Sequence, residues 1–190
     1  MTAVVGPQQA LCDQYDAALF DLDGVIYLGP NAVPGASQAV DGLRAHAVRV
    51  GFVTNNAARP PQVVADQLNR IGVRSTIDDV VTSAQAAARM LQETLEPGAR
   101  VLCLGTRALA DEISSVGFTL VDSRLDEPAA VIQGYDPDMT WPRVTDGVHA
   151  IAAGAQWFAC NLDLTRPTDL GLEPGVGTQV NAVRACFPDR

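Results

Sequence analysis

The stretch "AALFDLDGVIY", residues 17–27, decides the fold class. Its first four residues are apolar, and two carboxylates, Asp21 and Asp23, come at the end of this run. A short apolar run that leads into polar residues is typical of a buried strand, and open parallel sheets bind ligands beyond the carboxyl ends of such strands. The pattern therefore predicts a strand over 17–20 with a pair of carboxylates at its end.

A second stretch has the same arrangement further along the chain. The apolar run "VRVGFV", residues 48–53, leads into Thr54, Asn55 and Asn56. If these two strands are neighbours in one parallel sheet, their polar residues converge on a single crevice.

The rest of the chain alternates short apolar runs with segments of helical periodicity, which predicts a mainly parallel α/β fold. "GVIYLGPNAV", residues 24–33, is predicted to be a small hairpin or flap, and the next helix carries Val40, Leu43 and Ala47 on one face. Pro97 and Gly98 are the best candidate for a boundary between two α/β series. Residues 165–177, "TRPTDLGLEPGVG", are predicted to be a loop that leads into a final helix over 179–186.

The two carboxylates suggest phosphoryl chemistry. Asp21, at the strand end, can attack phosphorus and form an acyl-phosphate, and Asp23 can donate a proton to the leaving oxygen. Two carboxylates this close repel unless a divalent cation lies between them, and hard oxygen ligands favour Mg²⁺.

The second polar cluster offers donors to a phosphate. The Thr54 hydroxyl and the amides of Asn55 and Asn56 can donate to phosphate oxygens, and Gly24 lets the backbone approach the anion. Each motif alone is weak: a bare DxD also occurs in metal-dependent glycosyltransferases, and Thr-Asn-Asn is common in turns. Their combination at two strand ends is what favours a phosphatase.

Composition narrows the classes of partner. With 13 basic and 22 acidic residues the chain has a net charge of −9, and all its basic residues are arginine. This acidic balance argues against nucleic-acid and anionic-membrane partners. The four cysteines have no CxxC spacing and are predicted to be reduced thiols. The N-terminus lacks the pattern of a signal peptide and no apolar run is long enough for a membrane helix, so a cytoplasmic protein is expected.

"LFDLDGVIY" together with "GFVTNNAAR" resembles the first two motifs of the haloacid dehalogenase superfamily. "VVTSAQAAARML", "VIQGYDPDMTW" and "GAQWFACNLDLTRPTDLGLEPGVG" resemble its branch with a large α/β cap, the NagD, nitrophenyl-phosphatase and phosphoglycolate-phosphatase group. The resemblance covers nearly all of residues 15–186. It implies a Rossmann-like core with an α/β cap, and a phosphatase for a small phosphorylated metabolite, with glycerol 3-phosphate as the leading substrate and phosphoglycolate-like compounds beside it.

The resemblance also implies roles for individual residues. Asp21 corresponds to the family nucleophile and Asp23 to its general acid and base, and Mg²⁺ would be held by the Asp21 carboxylate and the Asp23 carbonyl. Thr54, Asn55 and Asn56 would hold the phosphoryl group. Asn161 and Asp163 match a cap-side Asn-x-Asp, although capping of a turn explains them equally well.

The implied domains are the N-terminal half of the core over 1–83, the cap over 84–180 and a return toward the core over 181–190. The family pattern also has a lysine and a distal Gly-Asp motif after the cap, and this chain shows neither. Two hypotheses stay open: a phosphatase that is complete only with those pieces, and a remnant that binds phosphorylated ligands or forms a homodimer through the cap. Without further strands beside it, residues 17–20 are expected to form an open apolar edge.

Overall fold

A computed structural model describes residues 10–168 and 170–188; most of the N-terminal stretch considered above as a signal peptide lies outside them. The strands are β1 (Ala17–Phe20), β2 (Tyr27–Leu28), β3 (Asn31–Ala32), β4 (Arg49–Thr54), β5 (Val80–Thr82), β6 (Arg100–Leu104), β7 (Thr119–Val121), β8 (Ala130–Gln133), β9 (Gln156–Ala159), β10 (Thr165–Thr168) and β11 (Gly171–Pro174). The α-helices are α1 (Ala36–Ala45), α2 (Pro61–Arg70), α3 (Ser83–Thr94), α4 (Arg107–Ser115), α5 (Trp141–Ala152) and α6 (Val176–Arg184).

The first sheet has the order β1–β4–β5, and all its strands are parallel. β4 lies in the middle and alternates, so that Val50, Phe52 and Thr54 are buried on one face. Helices α1 and α2 cover that face with Val40, Val64 and Leu68, among other apolar side chains. The other face is largely open: Leu19 is 74% exposed and Val81 47%. In the described part of the chain β1 pairs with β4 alone, so it forms the open apolar edge that was expected.

The second sheet has the order β7–β6–β8–β9 and is also parallel. Helices α3 and α4 pack on one face of it, through Leu91, Leu109 and Ile113. Helix α5 packs on the other face with Ile151, and α6 adds Val183. β8 is buried along its whole length, which is typical of a parallel strand with helices on both sides. The mixed α/β fold with parallel sheets agrees with the prediction.

Most predicted elements are present, and the flap around Gly29 is the antiparallel pair β2–β3. The structure contradicts the prediction of a loop over 165–177, because its first part forms the hairpin β10–β11. Gly171, with a φ of +123°, allows the reversal, and Arg166 pairs with Glu173 across the two strands at 2.5 Å. The last helix begins at Val176, three residues earlier than predicted.

One further prediction is wrong at a helix end. The sequence pattern predicts Ala47 on the apolar face of the first helix, but α1 ends at Ala45 and Ala47 has a φ of +62°. The chain reverses there through backbone bonds, with the Ala47 amide donating to the Arg44 carbonyl over 3.0 Å. This capping geometry ends the helix before its apolar pattern ends.

The four cysteines are free, in agreement with the prediction of reduced thiols. Burial raises the pKa of Cys103 and of Cys160 to about 12, so both thiols stay protonated near neutral pH.

We call β1–β5 with α1 and α2 the first unit, and α3–α6 with β6–β11 the second unit. The division of the chain between residues 83 and 84, one residue into α3, is our proposal. The packing of Ala84, Ala87 and Leu91 with the helices and strands of the second unit supports it over a boundary at Pro97 and Gly98. Among the described residues, no helix combines the length and the apolar character needed to cross a bilayer.

Candidate active site

The two polar clusters lie at the same edge of the first sheet. Phe20 in β1 pairs in register with Phe52 in the parallel strand β4. Asp21 follows Phe20 directly, and Thr54 ends β4 two residues after Phe52. The two strands therefore adjoin in parallel, as expected, but the Thr54 side chain is buried on the helix-covered face of the sheet and does not face Asp21 across the cleft.

The first cluster is fixed by a buried leucine. Leu22 has no exposed surface, and its carbonyl accepts hydrogen bonds from the amides of Ile26 (2.9 Å) and Tyr27 (3.1 Å). Its amide donates to Oδ1 of Asp21 over 2.8 Å. With Leu22 anchored inward, the flanking Asp21 and Asp23 both stay exposed toward the cleft.

Gly24 makes the turn that follows. Its φ is +79°, a conformation that side chains other than glycine's rarely adopt, and its amide donates to the Tyr27 carbonyl over 2.7 Å. A Cβ at this position would meet nothing within 4 Å. The backbone conformation therefore requires glycine here.

The second cluster is a tight turn. Thr54 is 3% exposed, and its hydroxyl accepts from the Asn56 amide over 3.1 Å. The side-chain oxygen of Asn56 accepts from the Ala58 amide over 2.7 Å. Asn55 is exposed and points its amide nitrogen at Asp163. Thr54 thus shapes the turn, and Asn55 and Asn56 face the cleft.

The second unit closes over this turn. Asn55 Nδ2 donates to Oδ2 of Asp163 over 2.5 Å, and its carbonyl accepts from the side chains of Asn161 (2.9 Å) and Ser83 (2.6 Å). Ala57 is buried in the apolar cluster of the second unit. The Thr-Asn-Asn turn is therefore held by both units at once.

Two glycines let helix α6 approach the Asn161–Asp163 segment. The amide of Gly177 donates to the Asp163 carbonyl over 2.8 Å, and that of Gly175 to the Leu164 carbonyl over 2.9 Å. A Cβ on either glycine would collide with backbone atoms of residues 162–165. The two glycines are thus needed for close contact between backbones.

These residues enclose a cavity of about 260 Å³ between the two units. Its lining includes six of the predicted site residues: Asp21, Asp23, Asn55, Asn56, Asn161 and Asp163. Gly24 and Thr54 lie beside the cavity and not in its lining, so their contact with phosphate stays a prediction.

A model of the family described as haloacid dehalogenase-like hydrolase matches residues 18–119, which is more than half of the chain. The chain belongs to the haloacid dehalogenase-like hydrolase family. The match begins one residue after the start of β1 and includes both polar strand ends.

Relatives within this family carry phosphatase names. The D-glycerol 3-phosphate phosphatase of Mycobacterium tuberculosis is 43% identical over 176 residues, which are 93% of this chain and 49% of the relative. An acid sugar phosphatase of Staphylococcus saprophyticus is 33% identical over 169 residues, which are 89% of this chain and 64% of the relative. The chain therefore spans about half to two thirds of the length of these relatives.

Solved structures of phosphatases also superimpose on this haloacid dehalogenase-like chain. The crystal structure of glycerol phosphate phosphatase from M. tuberculosis in complex with magnesium superimposes with a TM-score of 0.90, at 43% identity, over 95% of this chain and 54% of that one. The p-nitrophenyl phosphatase of Archaeoglobus fulgidus superimposes with a TM-score of 0.84, at 25% identity, over 93% and 66% of the two chains. The similarity extends over both units.

Although part of the Asp23 side chain is exposed, desolvation of its buried part is the main influence on its carboxyl and raises the pKa. The positive charges of Arg59 and Arg166 lower that pKa, whereas the negative charge of Asp21 raises it. Since the raising influences dominate, the Asp23 carboxyl keeps its proton to a higher pH than an ordinary aspartate, which suits a proton donor.

The donor set is compatible with Mg²⁺. Asp21 and Asp23 contribute two carboxylates to the cavity, and no cluster of three or more acidic, histidine or cysteine side chains with metal-binding geometry exists among the described residues. Mg²⁺ is commonly held by one or two carboxylates plus water and substrate oxygens, whereas structural zinc needs four ligands of its own. The Asp21 carboxylate together with the Asp23 carbonyl thus fits Mg²⁺ and leaves the Asp23 carboxyl for proton transfer.

Sequence reasoning missed several lining residues, among them Tyr135 and Arg166. The Arg166 guanidinium lies 4.6 Å from the centre of the Tyr135 ring. Both residues are far from Asp21 and Asp23 in the sequence, and only tertiary folding brings them to the site. The sequence offered one signal for Arg166: basic residues are few in this acidic chain, so an arginine in the run "TRP", residues 165–167, was worth considering as an anion ligand.

Proposed function

We propose that this protein is a Mg²⁺-dependent phosphatase for a small phosphorylated metabolite, with Asp21 as nucleophile and Asp23 as general acid and base. One observation carries the proposal: a single cavity brings together two carboxylates at a strand end and the amides of Asn55 and Asn56. The phosphatase names of the relatives support the same chemistry.

In the first step the Asp21 carboxylate attacks phosphorus, and the bond between phosphorus and the substrate's alcohol oxygen breaks. Because Oδ1 of Asp21 is engaged by the Leu22 amide, Oδ2 is the oxygen available for attack. Asp23 gives its proton to the departing oxygen, so the products are an alcohol and an aspartyl-phosphate.

In the second step Asp23, now ionised, removes a proton from water as the water attacks the phosphorus. The bond between phosphorus and Asp21 breaks, phosphate leaves, and both carboxyls return to their starting states. Asn55 and Asn56 orient the phosphoryl oxygens with their N–H groups, assisted by Thr54 through the shape of the turn. When bound, Mg²⁺ supplies positive charge that offsets the carboxylates and the phosphoryl oxygens, and the Asp21 carboxylate and the Asp23 carbonyl would hold it.

The second unit acts as a cap in this proposal. Asn161 and Asp163 stand over the phosphoryl site and connect to it through Asn55. Glycerol 3-phosphate is the first substrate to examine, because the 43%-identical relative is named for it. Phosphoglycolate-like compounds are the second.

Hydrolysis of p-nitrophenyl phosphate by the purified chain tests the proposal. We expect release of nitrophenol with MgCl₂, little with EDTA, and a loss of at least about a thousandfold in Asp21→Asn, because the nucleophile is gone. Asp111→Asn is the matched control, since Asp111 is exposed on α4 and pairs with Arg107 away from the cavity.

The competing proposal is a chain that binds phosphorylated ligands without turning them over. Binding of phosphate to the wild-type chain with no hydrolysis would support that alternative and contradict the phosphatase.

A homodimer formed through the second unit is a separate proposal, supported by the exposed Leu170 and Leu172 on the β10–β11 hairpin. Light scattering after size exclusion, on the wild-type chain and Leu172→Ser, tests it.

A further inference from the structure

The second sheet has a crevice of its own at the carboxyl ends of its central strands. In the order β7–β6–β8–β9, the chain runs from β6 outward to β7 and then from β8 outward to β9. Open parallel sheets bind ligands beyond the strand ends at such a reversal, which here lies between β6 and β8. Gly105 and Gly134 follow these two strands directly, and the Gly134 amide donates to the Leu104 carbonyl over 2.9 Å. We call the space beyond these two glycines the switch-point crevice.

Ala57 of the first unit lies in this crevice. It is 2% exposed and belongs to the apolar cluster that contains Leu109 and Ile132. A Cβ on Gly134 would lie 3.7 Å from the Cβ of Ala57 and 2.7 Å from Cδ2 of Leu109, so a further side chain has no room there. The position that a ligand takes in other open parallel sheets is thus occupied by the protein's own chain.

Hydrogen bonds extend this contact to the residue after Ala57. The Ala58 carbonyl accepts from the Thr106 hydroxyl of the second unit over 3.4 Å. The Ala58 amide donates to Oδ1 of Asn56 over 2.7 Å, which leaves the side-chain N–H groups of Asn56 for the cavity that this residue lines. The backbone around Ala57 therefore decides where Asn56 points.

We propose that Ala57 is a positioning residue: its methyl group, seated in the switch-point crevice, holds Asn55 and Asn56 in the conformation in which their N–H groups meet phosphoryl oxygens. The inference rests on the proposed phosphatase function and adds to it the contact that prepares the Thr-Asn-Asn turn. Through this seat the second unit strengthens phosphoryl binding by a residue that does not touch phosphate. A turn that is already ordered loses little conformational entropy when the ligand binds.

Kinetics of Ala57→Gly test this inference. Removal of the methyl group frees the backbone, so the variant must order the turn each time a ligand binds. That cost falls equally on the bound substrate and on the transition state. We therefore expect KM for p-nitrophenyl phosphate to rise about tenfold, with kcat changed less than about twofold. The dissociation constant of inorganic phosphate, measured by titration calorimetry with MgCl₂, should rise by the same factor.

Ala65→Gly is the matched control. Ala65 is 1% exposed and lies on α2, in the core that this helix forms with the first sheet. Loss of its methyl group should destabilise the chain in urea, while KM and the dissociation constant of phosphate stay at their wild-type values. If Ala57 contributed to stability alone, Ala57→Gly would give this same pattern.

Thr106→Val examines the seat from the second unit, without a change in the turn. Because the bond from the Thr106 hydroxyl to Ala58 is long, KM and the dissociation constant of phosphate should rise only about two- to threefold. Thr94→Val is its control, since the Thr94 hydroxyl makes the same kind of bond, to the Met90 carbonyl, at the end of α3. This pair keeps the proposal testable if Ala57→Gly does not fold.

The outcomes separate the two proposals. An Ala57→Gly chain with unchanged KM and unchanged phosphate affinity would overturn the inference and leave the phosphatase standing. So would a lower kcat at unchanged KM, which indicates fewer folded molecules and not a loosened turn. If the wild-type chain binds phosphate but hydrolyses nothing, the phosphatase fails, and the phosphate affinities of the variants still decide the role of Ala57. If the wild-type chain binds no phosphate, both proposals fail.

Discussion

Asn55 and Asp163 are 108 residues apart in the sequence, and their side chains meet at 2.5 Å across the cleft between the two units. Asn55 is the first residue after the central strand of the first sheet, and Asp163 lies on the second unit just before the β10–β11 hairpin. This hydrogen bond and that of Asn161 to the Asn55 carbonyl join the second unit to the turn beside the carboxylates.

A double-mutant cycle measures that link. Asn55→Ala and Asp163→Ala should each lower the free energy of unfolding, and the double variant should lose less than the two single losses added together. The expected coupling is about 1 kcal/mol, because the bond has a charged acceptor but both residues are exposed. Urea unfolding provides the measurement, and strictly additive losses would show that the bond contributes nothing in solution.

The raised pKa of Asp23 makes stability depend on pH. Burial, the largest influence, raises that pKa above its ordinary value of 3.8. An acid whose pKa is higher in the folded chain favours folding while it is protonated, and it loses that contribution as the pH rises through the folded-state pKa. Asp23→Asn, which never ionises, should therefore melt higher than the parent chain at pH 7, and the difference should shrink toward pH 3.

Melting curves in EDTA test this, because bound Mg²⁺ would reverse the preference for the neutral form. Asp13→Asn serves as the control, since Asp13 is exposed on the surface before β1. An advantage of Asp23→Asn that stays constant or grows as the pH falls would contradict the prediction.

Gly177 tests the close approach of α6 to the site. A Cβ there would collide with the carbonyl oxygen of Leu162, which is backbone and cannot rotate away. Gly177→Ala should cost about 1–3 kcal/mol of stability and displace the Asn161–Asp163 segment. In contrast, Gly42→Ala within α1, where a Cβ meets nothing within 4 Å, should stabilise the chain by about 0.5–1 kcal/mol.

Chemical denaturation of the two glycine variants gives both values. A Gly177→Ala variant as stable as the parent chain would mean that residues 161–163 adjust easily. The close backbone contact would then not be what positions Asp163.

Phe52 is the largest fully buried side chain of β4. Phe52→Ala should lower the free energy of unfolding by about 3–5 kcal/mol, because it leaves a cavity between the first sheet and α2. Val53→Ala, at the next position, removes a side chain that is 39% exposed and should cost less than about 1 kcal/mol. Similar losses for the two variants would contradict the placement of the core on one face of β4.

Much of the fold and several of the residues that line the cavity could be predicted from local sequence patterns. The mainly apolar runs before Asp21 and Thr54 predicted two strands, and their adjacency was a condition that the parallel pairing of β1 with β4 meets. The inward side chain of Thr54 was not predicted, although alternation along β4 puts it on the same face as Val50 and Phe52. Asn55 and Asn56 lie past the end of this alternation and so are free to face the cleft.

The β10–β11 hairpin could not be predicted from local sequence patterns. Its stretch contains Pro167, Gly171 and Pro174, residues that normally indicate a loop. The strands form because the stretch pairs with itself and because Arg166 finds Glu173 and the Tyr135 ring. These partners are visible only once the second unit is folded.

The sequence by itself determined the alternation of strands and helices, the carboxylate pair at the end of β1 and the family, because these depend on residues close together in the chain. Tertiary structure alone decided which cations face the carboxylates: Arg59 and Arg166, 107 residues apart in the sequence, line one cavity together with Asp23. The reason is physical: strand formation depends on neighbours in the chain, whereas the electrostatics of a cleft depend on which distant segments fold against each other.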